Sequence, residues 1–97
     1  MVIGFDIISD LNLAPHDDFN WEGKATSLYC IIAGNISSDL GVIISTLNHL
    51  SRLYQGIFYT FGSLEYQGVE DAENRTETLL KACKRLKNVA VIYHHVV

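Results

Sequence analysis

The sequence predicts an α/β fold: a small, largely parallel four-stranded sheet with a β-α-β-α-β core. Three observations predict it. Short, β-branched-rich apolar runs alternate with helical stripes, the pattern of parallel strands joined by crossovers. Ninety-seven residues fit a single domain spanning 1–97. Apolar residues make up 48% of the chain, near the top of the globular range, which excludes a disordered polypeptide.

Val2–Ile8 is expected to be the first strand. Asp10–Lys24 follows as a polar loop holding the only proline, Pro15. Ser27–Ala33 is a continuous apolar run, which predicts a strand buried on both faces and ended by Gly34. Ser37 or Ser38 then caps a helix, with Asp39 favourable in its first turn. Leu40, Ile43, Ile44, Leu47, Leu50 and Tyr54 recur at helical spacing and give it one buried stripe. Gly56 is expected to stop it, and Ile57–Phe61 to form the third strand. Glu70–Leu86 reads as the second helix, buried through Ala72, Leu79, Leu80, Cys83 and Leu86. Its acidic start (Glu70, Asp71, Glu73) and basic end (Lys84, Arg85, Lys87) suit the helix dipole. Val89–Tyr93 is the fourth strand.

Net charge is −4, with a pI near 5.4. A chain without a basic balance is not expected to bind nucleic acid directly. The acidic clusters Asp17–Glu22 and Glu65–Glu77, and the basic cluster Lys81–Lys87, read as solvated surface. Cys30 and Cys83 sit inside apolar runs and read as reduced core thiols, which points to a cytoplasmic protein. No apolar segment is long enough to cross a membrane. His16, beside Asp17 and Asp18, reads as part of a solvated turn, and His49 as exposed on the first helix. His94 and His95 follow the last strand, where neighbours point to opposite faces and chelate poorly. Phe19 and Trp21 stand in the acidic loop. They either anchor a partner or fold back to cover the sheet.

Three strand ends carry the remaining signal: Ser9-Asp10-Leu11-Asn12, Gly34-Asn35 and Gly62-Ser63-Leu64-Glu65. In an open parallel sheet such loops converge on one crevice. The arrangement, from about Ile3 to Tyr93, resembles the first half of the calcineurin-like metallophosphoesterases, which carry D-x-H, G-D and G-N-H-E at these places. The resemblance implies half of a metallophosphoesterase sandwich and a vestigial two-metal site. Asp10 keeps the family's aspartate ligand, and Asn12 stands where its histidine would be. Asn35 replaces the metal-bridging aspartate. Ser63 and Leu64 replace the asparagine ligand and the histidine that assists the leaving group, while Glu65 and Tyr66 survive. The family's later histidine ligands lie on a second half-domain that these residues do not include. No catalytic residue, metal or other cofactor is therefore expected.

The expectation is a pseudoenzyme that works by protein–protein binding, with a viral inhibitor of a host protein as one form of it. A sheet cut from a larger sandwich attracts another chain. A homodimer is the simplest answer, with Val96 and Val97 as candidate contacts beside Phe19 and Trp21. The alternative is a weak residual metal-dependent phosphoesterase using Asp10, Asn12, Asn35 and Glu65. A third reading is a fragment of a longer degenerate product.

Overall fold

The computed structural model describes residues 4–92. Four strands, β1 (Phe5–Ile8), β2 (Tyr29–Ile32), β3 (Gly56–Tyr59) and β4 (Val89–Val91), form one sheet in the order β1-β2-β3-β4. Every neighbouring pair is parallel, so the sheet is fully parallel, with Ile8 level with Ile32 and Ile32 with Tyr59. Helix α1 (Leu40–Ser51) joins β2 to β3, and α2 (Ala72–Lys84) joins β3 to β4. A short 3-10 turn, η1 (Ser63–Tyr66), follows β3.

Strand order equals chain order, so crossovers of one hand put both helices on one face of the sheet. The core confirms this placement. Ile8, Cys30, Ile32, Ile57 and Tyr59 from the strands pack with Ile43, Leu47 and Leu50 of α1 and Leu79 and Cys83 of α2. All ten are at most 3% exposed. Cys30 and Cys83 are free thiols within that cluster, and burial pushes each up to about 11.

The opposite face is different. Ser27–Ala33 was expected to be buried on both sides, but Tyr29 and Ile31 are only half-buried. Phe5, Ile7 and Ile92 on the same side are exposed. Among the described residues no helix covers that face.

Element boundaries shift from the expected ones for identifiable reasons. Asp39, not Ser37 or Ser38, caps α1 by accepting from the Val42 N–H. Ser37 is buried instead, its hydroxyl donating to the Leu13 carbonyl at 2.6 Å. Gly56 does not end the helix, which stops at Ser51 with Arg52 as its C-cap. Gly56 opens β3, where a Cβ would meet the Tyr29 ring at 2.9 Å. Asp71 caps α2 through the Asn74 N–H, so Glu70 lies outside the helix. Of the expected strand residues, Val2, Ile3 and Tyr93 lie outside the described residues, as do His94, His95, Val96 and Val97.

Candidate functional site

The loops after β1, β2 and β3 meet at the carboxyl end of the sheet, as the strand-end reading expects. The first loop lies alongside the second through backbone bonds from Asp10 to Gly34, Asn12 to Asn35 and Leu13 to Ile36, at 3.4, 3.1 and 2.8 Å. The second and third loops touch at two glycines. A Cβ on Gly34 would sit 2.7 Å from the Gly62 nitrogen, and Gly34 has a φ of +81° that a side chain tolerates poorly. Asp10, Asn12 and Asn35 also hold left-handed backbone, with φ of 56°, 49° and 58°. Asp and Asn enter that region more readily than other side chains, which is why these types suit the three corners.

Asn35 joins all three loops. Its side-chain Nδ2 donates to the Asp10 carboxylate at 2.8 Å. Its Oδ1 accepts from the Leu64 N–H at 3.0 Å. Its backbone N–H donates to Glu65 Oε1 at 2.7 Å. The Leu64 donor fixes which end of the amide is oxygen, leaving the NH2 for Asp10. Glu65 is fully buried, and its other oxygen accepts from the Tyr59 hydroxyl at 2.5 Å. Burial, and then the bond to Glu65, push the Tyr59 phenol far above its ordinary value.

Asp10, Asn12, Asn35, Ser63, Leu64 and Gln67 line an open cleft of about 470 Å3. Five of these were marked by the sequence. Gln67 was not, because it follows η1 and belongs to no strand-end pattern. Glu65 lies beneath the cleft with both oxygens engaged, so it is a structural anchor of the loops.

This donor set does not fit a pair of divalent cations. Such a pair needs several anionic or imidazole ligands, including a bridge between the ions. Asp10 is the one carboxylate on the cleft wall, and the group beside it is an amide N–H, a donor that faces Asp10 as a cation would. Among the described residues no group of three or more His, Cys, Asp or Glu side chains is placed to hold a metal ion.

A second polar cluster sits at the other end of the sheet. Asp6 on β1 accepts from the Thr26 N–H at 2.7 Å, from the Thr26 hydroxyl, and from the Tyr54 hydroxyl at 2.7 Å. The Thr26 and Tyr54 bonds hold its carboxyl down at about 2. Tyr54 accepts in turn from the Trp21 indole N–H at 2.9 Å. His49 Nε2 accepts from the Trp21 backbone N–H at 2.9 Å, which places the neutral ring's proton on Nδ1. The Phe19 ring meets His49 edge-on at 5.7 Å and stacks on Trp21 at 6.0 Å. His49 is therefore half-buried under the loop and not exposed. Phe19 and Trp21 fold back, but onto His49 of α1 and Tyr54 rather than over the sheet face. His16 is exposed and lies 3.9 Å from Asp17.

No protein-family profile and no curated protein matches the sequence. Among solved structures, the crystal structure of a phosphopantetheinyl hydrolase from Mycobacterium tuberculosis superposes with a TM-score of 0.68 at 20% identity. The match covers 96% of this chain and 36% of that one. At that identity the likeness shows a shared α/β fold, and the chain spans about a third of the neighbour's length.

Proposed function

We propose that this chain is a catalytically silent binding module: a degenerate metallophosphoesterase-type scaffold that acts by holding another protein. One observation carries the reading. The Asn35 amide spans the gap between the Asp10 carboxylate and the Leu64 N–H, the place where the family resemblance puts a bridging carboxylate and its cations. A neutral side chain meets there the hydrogen-bonding needs of both neighbours, so the loops close without added charge. Leu64, where the resemblance puts a histidine, can neither donate nor accept a proton.

The test is hydrolysis of an aryl phosphodiester with manganese. The wild-type chain is expected to show no turnover above buffer, and manganese no rise in its melting temperature. The quadruple variant Asn12→His, Asn35→Asp, Ser63→Asn, Leu64→His is expected to stay inactive, because the restored positions complete only the first half of the ligand set. Wild-type turnover that saturates with manganese and is lost in Asp10→Ala would overturn the reading and establish the residual phosphoesterase.

A further inference from the structure

The outward positions of the four strands are Phe5 and Ile7, Tyr29 and Ile31, Gly56 and Phe58, and Ala90, with Ile92 just beyond. None is charged, so the net charge of −4 resides elsewhere on the molecule. Phe5 packs its ring against Tyr29 at 5.9 Å and Phe58 at 6.1 Å. Ile7 is 71% exposed and Ile92 53%. All-parallel sheets are found almost always with both faces covered, and this one has helices on one.

We propose that a second copy of this chain covers the open face of the sheet, the two faces packing about a two-fold axis. The proposal rests on the binding-module reading and names its partner. An isologous pair brings each patch against itself, and here that meets no like charge. The Tyr29 hydroxyl is the one polar side-chain group among these outward positions and must reach the rim of the interface or a partner across it. Two twisted sheets pack face to face about 10 Å apart with their strands some 30° apart. Phe5, Ile7 and Ile92 expose on the order of 300 Å2 of apolar surface, already the size of the largest patch on many monomers. With half-buried Tyr29, Ile31 and Phe58, a pair buries roughly 1,000 Å2 in total, the lower bound for a specific interface. An interface of that size belongs to the weak, transient class, so the expected dimer is reversible and its population depends on concentration.

Sedimentation equilibrium of the 97-residue chain tests this from low micromolar to near-millimolar concentration. Mass is expected to rise from one chain of 10.9 kDa to two. Ile7→Lys should weaken the dimer at least tenfold while the far-ultraviolet spectrum stays native. Ala90→Lys, at a small exposed position on β4, serves if Ile7→Lys does not fold. Lys81→Ala, on α2, should leave assembly unchanged. Amide exchange over 5–8 and 29–32 should slow as the dimer fills. A monomer throughout, or a dimer that survives both lysine variants, overturns the proposal. A monomer leaves the binding-module reading intact, whereas manganese-dependent turnover by an intact dimer sinks that reading and spares the interface.

Discussion

Glu65 and Asp6 make the same pair of bonds at opposite ends of one sheet. Each accepts from a tyrosine hydroxyl, Tyr59 or Tyr54, and from a backbone N–H, that of Asn35 or Thr26. Glu65 is fully buried and Asp6 half-exposed. Around Asp6, water can replace a lost partner. Around Glu65 it cannot, so every donor aimed at it depends on that one carboxylate. The carboxyl end of the sheet is thus the end that tolerates the loss of its carboxylate least, although it carries the open cleft.

Removing each carboxylate gives the sharpest contrast. Glu65→Ala strands the Asn35 N–H and the Tyr59 hydroxyl in the interior and leaves a cavity. We expect a loss of about 3–5 kcal/mol in urea denaturation. A loss as small as that of an exposed substitution would show that water reaches the site and would erase the difference between the two ends. Asn35→Gly keeps the left-handed backbone but removes two side-chain bonds, for an expected loss of about 1–2 kcal/mol. Asn35→Ala adds the strain of an ordinary residue at positive φ, about 1 kcal/mol more, and the difference between the two variants reports that strain less the extra chain entropy that glycine loses on folding.

At the other end the effects shrink. His49→Ala deprives the Trp21 N–H of its acceptor and the Phe19 ring of its contact, which should cost about 1 kcal/mol and shift Trp21 fluorescence toward the red. Asp6→Asn should act mainly through pH. The Asp6 carboxyl titrates at about 2 in the fold, below its unfolded value near 3.9. Its contribution is fully present above that unfolded value and is lost as pH falls through 2. Acid titration of the variant should therefore show a flatter stability profile between those limits. An unchanged slope would mean that Thr26 and Tyr54 do not favour the ionised form.

The sequence was most legible where local pattern decides structure. The stripe Leu40–Leu50 and the apolar run before Gly34 identified α1 and β2, and Gly34, Asn35 and Gly62 marked corners that need positive φ or close backbone approach. From sequence, Asn35 is a residue in the place of a bridging ligand; its role as the joint of three loops depends on Leu64 and Glu65, 29 and 30 residues away. The chain from Asp6 through Tyr54 to Trp21 joins residues 33 and 48 apart in sequence, and no local signal announces such a pair. The open face was hidden for another reason. A continuous apolar run such as Tyr29–Ile32 has the same composition whether its second face meets a helix, another subunit or water.

The two core cysteines turn this molecule into its own opening gauge. Cys30 on β2 and Cys83 on α2 are at most 1% exposed and resist ionisation, so a thiol-directed reagent finds no thiolate in the closed fold. Alkylation of either should count the moments at which helix and sheet part. Comparing the two labelling rates would tell whether α2 lifts away alone or the whole core comes undone at once.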